Sequence, residues 1–131
     1  MTLFFGLLDP ESGALQFSCA GHPFPLLRRA SGAVIELGEG SLPLGINPQL
    51  EVPVGETSLQ PGDTLMLFTD GLPEAVGGDE DEAFGFDRLR GLLREAGSPR
   101  QVHDRVLSAF DHHTGHEPLT DDLTLVVIAR Q

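Results

Sequence analysis

Near the middle of the 131-residue chain lies the segment Asp63-Thr64-Leu65-Met66-Leu67-Phe68-Thr69, preceded by Pro61-Gly62 and followed by Asp70-Gly71. Its near-continuous run of apolar residues is typical of a β-strand that is covered on both faces. The Pro-Gly pair before the run and the glycine after it are residues that favour turns and bound a strand. We therefore expect a central strand here that stops at Asp70.

The sequence before this strand predicts antiparallel β-structure. Residues 2–9 and 14–20 flank a turn that contains Pro and Gly, and apolar and polar residues alternate in the second of these segments. A second hairpin is expected from residues 24–27 and 33–37.

Between this hairpin and the central strand, residues 38–62 are rich in Gly and Pro. They predict a long structured loop, with brief strands near residues 50–54 and 57–59.

The sequence after the central strand predicts two helices and a returning strand. Apolar residues recur at helical spacing in residues 86–95 and 99–112, and Ser98 is a good N-cap before Pro99. The Val-rich residues 123–129 predict the final strand. Strands, then helices, then a strand indicate an α+β domain with helices on one face of a mainly antiparallel sheet.

Length and composition indicate one folded domain over residues 1–131 and exclude several functional classes. Asp and Glu number 20 against 8 Lys and Arg, so the formal net charge of −12 would repel the phosphate backbone of a nucleic acid. No apolar run is long enough to cross a membrane, and no basic region precedes the apolar N-terminus as in a signal peptide. A single cysteine, Cys19, excludes an internal disulfide and fits a reducing cytoplasm.

Three aspartates stand at the ends of the two most apolar strands. Asp70 ends the central strand, and Asp121 with Asp122 precedes the final strand. If these strands are antiparallel neighbours, the carboxylates meet at one end of the sheet. Such carboxylates repel one another, which favours a compensating cation, and oxygen ligands favour Mg²⁺ or Mn²⁺. The spacing also allows aspartates that cap strands and face water; Gly71 permits close approach of an ion or ligand.

Other polar segments are further candidates for a site. His22, in the segment Ala20-Gly21-His22-Pro23, either contacts a ligand or hydrogen-bonds to the main chain. Three histidines in residues 112–116 suggest a metal site, but we interpret them as a solvated helix end whose charge suits the helix dipole. The acidic run at residues 79–82 is interpreted as a solvated loop, with a docking or gating flap for a substrate as the alternative.

Several segments, taken in order, resemble one enzyme family. They are Thr2-Leu3-Phe4-Phe5-Gly6-Leu7-Leu8-Asp9-Pro10, Ala20-Gly21-His22-Pro23, Leu42-Pro43-Leu44-Gly45, Leu59-Gln60-Pro61-Gly62-Asp63, Thr69-Asp70-Gly71-Leu72-Pro73-Glu74-Ala75, Phe84-Gly85 and Asp121-Asp122-Leu123-Thr124-Leu125-Val126-Val127. Their order and spacing resemble the stage II sporulation E and RsbU branch of the PPM, or protein phosphatase 2C-like, metal-dependent serine/threonine phosphatases. The resemblance extends over nearly the whole chain.

The resemblance implies a β-sandwich of two antiparallel sheets flanked by helices, with two Mn²⁺ or Mg²⁺ ions at one end. By position, Asp70 and Asp121 match metal-binding, catalytic aspartates of the family. Gly71 and Asp122 would then support the site, either through their backbone or by contacting the metal-binding residues. The loop at 21–22, with Gly21 and His22, would lie near the site. In this family a water held between the metals attacks phosphorus, which agrees with the lack of any nucleophile motif in the sequence.

The sequence also departs from the family pattern. A complete domain begins earlier, with strands and a Gly-Asp motif whose aspartate bridges both metals. Gly62-Asp63 matches the family's later Pro-Gly-Asp strand start, Gly78-Asp79 lies in the acidic run, and Cys19 stands where the family often has Asn. The chain therefore resembles about the C-terminal two thirds of a phosphatase domain, and we expect an N-terminally truncated domain that lacks the first strands.

The function expected from the resemblance is removal of phosphate from phosphoserine or phosphothreonine of a protein, such as an anti-anti-sigma-like regulator. Two carboxylates are too few to hold two cations, so this chain alone is expected to have little or no activity. A different class of function is a non-catalytic module with the phosphatase fold. Such a module would bind a partner or form a homo-oligomer through a sheet edge that the missing strands leave exposed.

Overall fold

Two antiparallel sheets form a β-sandwich in the computed structural model, which describes residues 1–77, 82–115 and 121–131. The first sheet contains, in spatial order, β1 (Leu3–Leu8), β2 (Ala14–Ala20) and β5 (Gly55–Ser58). The second contains, in spatial order, β4 (Val34–Glu36), β3 (Leu26–Arg28), β6 (Thr64–Phe68) and β9 (Leu125–Ala129). A small ladder of β7 (Val76–Gly77) and β8 (Glu82–Ala83) follows the central strand β6.

Strand β6 lies between two hydrophobic layers, as its apolar sequence predicts. Met66 and Phe68 pack into the layer beneath the helices, and each is almost fully buried. Leu65 and Leu67 face the first sheet and pack into the layer that contains Phe17 of β2. Successive side chains of β6 therefore pack into different cores, as expected of a strand that is covered on both faces.

Two helices cover the second sheet, α1 (Phe86–Arg94) and α2 (Pro99–Thr114). The start of α2 has a complete capping box, because the Ser98 side chain accepts from the Gln101 N–H and the Gln101 side chain accepts from the Ser98 N–H. The predicted N-cap and helix start are therefore confirmed. No helix in the described parts of the chain is long and apolar enough to cross a bilayer.

Both predicted hairpins and the α+β class are confirmed, but two strand predictions were wrong in position. No strand forms at residues 50–54, whereas the brief strand predicted near residues 57–59 is present as β5, which pairs with β2 so that Gly55 lies opposite Phe17. Gly55 suits this place because a Cβ there would clash with the Phe17 ring. The last strand begins at Leu125, because the residues before it are bonded to the Thr69 side chain.

Asp63, directly before β6, is a buried carboxylate that joins the turn after β3 to the turn before β6. Its side chain is 1% exposed and accepts hydrogen bonds from Arg29 Nη1 at 2.7 Å, from Gln60 N at 2.9 Å and from Ala30 N at 2.9 Å. Burial opposes its ionisation, but the hydrogen bonds and the charge of Arg29 outweigh burial and lower the pKa of Asp63. The Gly62-Asp63 pair therefore serves the fold.

We predict that Asp63→Asn destabilises the fold by about 3 kcal/mol at neutral pH, because it leaves Arg29 and a backbone N–H without a carboxylate. The pKa of Asp63 is lower in the folded than in the unfolded chain, so its stabilisation exists above the unfolded-state pKa. That stabilisation is lost as pH falls through the folded-state pKa. Urea unfolding of both proteins as a function of pH measures the difference.

Asp104→Asn is the matched control, because the Asp104 side chain is 60% exposed and pairs with an exposed arginine. Its free energy of unfolding should stay within about 0.5 kcal/mol of the parent value. Equal stability of Asp63→Asn and Asp104→Asn would contradict the structural role of Asp63.

Candidate metal centre

The pairing of β6 with β9 brings the three aspartates to one end of the second sheet. The two strands are antiparallel neighbours, with Phe68 opposite Leu125 as the last pair of the ladder. One backbone hydrogen bond continues beyond the strands, from Thr69 N to Thr124 O at 3.1 Å. Asp70 follows this point on one strand, and Asp121 and Asp122 precede it on the other. The antiparallel arrangement that the aspartate interpretation required is therefore present.

The Thr69 hydroxyl fastens the two aspartate loops to each other. It donates to the carbonyl of Asp122 at 3.1 Å and accepts from the N–H of Thr124 at 2.9 Å. Gly71 is buried against the same loop, and a Cβ on it would lie 2.5 Å from the Asp122 carbonyl oxygen. Position 71 requires glycine because the two backbones approach each other closely there.

The carboxylates themselves are exposed and only locally hydrogen-bonded. Asp70 Oδ1 accepts from the N–H of Gly71 at 3.1 Å, and Asp121 Oδ1 accepts from the N–H of Asp122 at 2.7 Å. Within residues 1–77, 82–115 and 121–131, the second oxygen of each carboxylate has no hydrogen-bond partner. Asp70, Asp121 and Asp122 thus offer oxygen atoms of the kind that Mg²⁺ and Mn²⁺ bind.

Carboxylate oxygens suit a hard divalent cation, but few of them are placed to bind one here. Among the described residues, no group of three or more His, Cys, Asp and Glu side chains is placed to hold a metal ion. The arrangement therefore fits part of a metal site. A dinuclear centre needs more anionic oxygens than Asp70 and Asp121 provide.

The loop at 21–22 lies at the same end of the molecule. Burial lowers the pKa of the half-buried His22, and the negative charge of Asp70 partly opposes that shift, so the ring lies within the field of that carboxylate. Gly21 has φ +60°, and a Cβ on it would meet Pro43 N at 2.8 Å. No hydrogen bond joins the His22 ring to another residue that the structure describes.

Cys19 stabilises this loop through a hydrogen bond. Its thiol is buried and donates to the carbonyl of His22 at 3.1 Å. Burial raises the pKa of the thiol, since the thiolate would lose hydration. The family that this sequence resembles often has Asn at this position, and here Cys19 provides a hydrogen bond to the loop.

The interpretation of the α2 end as solvated was wrong for His113. The His113 ring is half-buried and lies edge-on to Phe84, with 5.5 Å between ring centroids. Its Nδ1 accepts from Arg88 Nη1 at 2.7 Å, and its Nε2 donates to the Glu82 carbonyl at 2.8 Å. His116 and the acidic residues 79–81 lie outside the described residues.

A groove of about 750 Å³ was missed by the sequence analysis. It lies between residues 22–24, Glu36, residues 82–88 and Arg90, and we call it the β8–α1 groove. Two aromatic residues on either side of Gly85, Phe84 and Phe86, together with the charged residues near them, were its signal in the sequence. Its walls come from segments far apart in the chain, so no periodicity or motif could have indicated it.

Comparisons with known proteins place this geometry in a family. The family model described as Stage II sporulation protein E (SpoIIE) matches residues 1–131, which is the whole chain. Protein IcfG of Synechocystis sp. is 27% identical over 130 residues, a match that covers 98% of this chain and 20% of the relative.

Two solved structures have a similar fold. The SiaA-PP2C domain of Pseudomonas aeruginosa superposes with a TM-score of 0.85 at 23% identity, covering 99% of this chain and 52% of that chain. The phosphatase domain of the cell fate determinant SpoIIE from Bacillus subtilis, presoaked in Mn, superposes with a TM-score of 0.75 at 22% identity, covering 99% and 56%. The chain thus spans about half the length of these domains and a fifth of IcfG. The match over all 131 residues shows that the chain belongs to the SpoIIE family, and its sandwich has the fold of PP2C-type phosphatase domains.

Proposed function

We propose that this chain is the part of a metal-dependent phosphatase domain that supplies two of its metal-binding carboxylates, those of Asp70 and Asp121. The observation that carries the proposal is the convergence of these aspartates at the end of the β6–β9 ladder, in a chain of the SpoIIE family. The proposed reaction is hydrolysis of phosphoserine or phosphothreonine in a protein. Family membership supports an anti-anti-sigma-like phosphoprotein as the substrate.

The chemistry assigns distinct tasks to the residues at this end. Mn²⁺ or Mg²⁺, when bound, supplies activation of the attacking water and stabilisation of charge on the phosphoryl oxygens. Asp70 and Asp121 would hold the cations through their unpaired carboxylate oxygens. Gly71 and Asp122 keep the two loops in contact through the close approach of their backbones. Gly21 and His22 form the neighbouring wall, where the His22 ring faces the field of Asp70.

Low activity of this chain alone follows from the number of anionic groups. Two cations a few ångströms apart repel each other strongly unless bridging anions compensate them. The described carboxylates at this end are those of Asp70, Asp121 and Asp122, and they are not placed as a group of three that could hold a metal ion. We therefore propose weak binding of a single cation and little or no turnover. A cytoplasmic location is part of the same proposal, since the thiol of Cys19 is free and buried.

A second candidate function, association through a sheet edge, is favoured by the exposure of β1. Leu3, Phe5 and Leu7 lie on the outer face of this edge strand and are 39%, 55% and 59% exposed. Val126 and Ile128 lie on β9, an edge strand of the second sheet, on the face directed at the first sheet, and are 44% and 36% exposed. Exposed apolar edge strands of this kind favour association with another strand or another copy of the chain.

We predict that the purified chain binds Mn²⁺ weakly, with about one ion per chain, and that Asp70→Asn and Asp121→Asn each reduce the affinity about tenfold or more because each removes an anionic ligand. Isothermal titration calorimetry measures the affinity, and hydrolysis of an aryl phosphate with and without millimolar Mn²⁺ measures turnover. Any Mn²⁺-dependent turnover should disappear in both variants.

Asp111→Asn is the matched control for metal binding, because Asp111 is an exposed aspartate on α2. It removes the same charge and should bind Mn²⁺ like the parent chain. If Asp70→Asn and Asp121→Asn also bound like the parent, the two aspartates would be strand caps that face water.

For the second candidate, we predict that the chain self-associates at micromolar concentrations and that Phe5→Lys shifts it to the monomer, since a lysine opposes pairing at an edge strand. Sedimentation velocity distinguishes the two states. Leu42→Lys is the control, because Leu42 is similarly exposed, at 52%, but lies outside the sheets. A parent chain that is monomeric at all concentrations would exclude association of copies.

A further inference from the structure

The β8–α1 groove begins beside the candidate metal centre. His22 lines the groove, and it precedes β3, whose antiparallel pairing with β6 puts Leu26 opposite Met66 and so places His22 at the Asp70 end of β6. The opposite wall is fixed to the loop that follows Asp70, because Phe84 N donates to Ala75 O and Gly85 N donates to Pro73 O, each at 2.8 Å. A chain segment lying in the groove would therefore lead directly to the end of the sheet where the aspartates meet.

The groove has an apolar surface that is suited to a side chain from a partner. Phe86, the first residue of α1, is 40% exposed and lines the groove. Its inner side rests on Phe68, with 6.1 Å between ring centroids, so the ring is held in place by the core. Phe24 and Pro23 line the groove near His22 and are half-buried. Rigid, partly exposed rings are typical anchors in protein interfaces.

The charges in the groove favour a cationic partner. Both arginines are already engaged: Arg90 contacts the carboxylates of Glu36 and Asp87, and Arg88 lies over the Phe84 ring and hydrogen-bonds to His113. The Glu82 side chain has no partner among the residues that the structure describes. Glu36 and Asp87 are both paired with Arg90, so Glu82 is the groove carboxylate that can attract a basic side chain, within a chain of net charge −12.

We propose that the β8–α1 groove docks the segment of the phosphoprotein that flanks its phosphorylated residue, and that this segment carries an apolar side chain for Phe86 and a basic side chain for Glu82. The inference rests on the proposed phosphatase function, because that function makes the end of the groove the place where the phosphorylated residue arrives. It adds the docking surface and the chemistry of the sequence that this surface recognises.

The test uses two unphosphorylated dodecapeptides that differ only in charge, one with arginines around a central leucine and one with glutamates instead. Each is titrated into the ¹⁵N-labelled chain without metal. We expect the basic peptide to shift the amide resonances of His22, Phe24 and residues 82–90, and the acidic peptide to leave them unchanged. Glu82→Arg should weaken binding of the basic peptide about three- to tenfold, since it replaces an attraction with a repulsion.

Glu51→Arg is the matched control, because it changes the net charge equally at an exposed residue that does not line the groove. It should leave the affinity for the basic peptide within about twofold of the parent value. Phe86→Ala should weaken binding about fivefold or more, with the melting temperature checked beside it. If Phe86→Ala unfolds, Glu82→Arg alone tests the docking proposal. The Glu82 side chain is exposed, so its replacement should leave the fold unaffected.

Equal binding of both peptides, shifts outside the groove, or equal effects of Glu82→Arg and Glu51→Arg would overturn the proposal. Failure of docking can be distinguished from failure of the phosphatase proposal, because the peptides carry no phosphate and no metal is present. Asp70→Asn should leave docking unchanged while it lowers Mn²⁺ affinity. Docking without Mn²⁺ binding would contradict the proposed phosphatase function alone.

Discussion

Strands β6 and β9 are hydrogen-bonded over five residue pairs, and the position of the candidate site depends on their register. A slip of one residue would turn Val127 away from the helices and reverse the faces of the whole strand. In the observed register Met66 and Leu65 belong to different cores, and Val127 packs against the core beneath the helices. The Thr69 hydroxyl continues the pairing past the last ladder pair and so fixes the two aspartate loops relative to each other.

The same strand carries carboxylates at both ends, and their surroundings differ. Asp63 at its start is buried and receives an arginine and two backbone N–H groups, so its charge is compensated within the protein. Asp70 just beyond its end is exposed, and one of its oxygens has no partner among the described residues. A compensated carboxylate stabilises a fold, whereas an uncompensated pair such as Asp70 and Asp121 is available to a cation.

The sequence predicted the parts of the fold that depend on local patterns. The apolar run at β6, the Ser98-Pro99 helix start and the alternation in β2 each indicated the correct element. The start of β5 at Gly55, before the predicted residues 57–59, was missed because it depends on Gly55 accommodating the Phe17 ring, a contact between residues far apart in the chain.

The part of the candidate site that follows from strand pairing was likewise predictable from the sequence. The meeting of Asp70 with Asp121 followed from two strong strand signals and one assumption about their pairing. The contacts of His113 and the β8–α1 groove were missed because they arise from tertiary packing of Phe84, Arg88 and Glu82, which no periodicity encodes.

Paramagnetic broadening by Mn²⁺ tests most directly whether the two aspartate loops form one cation site. Substoichiometric Mn²⁺ should broaden the amide resonances of residues 69–71 and 121–123 together, before those of the His112-His113 helix end or the exposed acidic residues elsewhere. Broadening of only one loop, or diffuse broadening over the acidic surface, would contradict the account. In that case Asp70 and Asp121 end their strands as solvated caps.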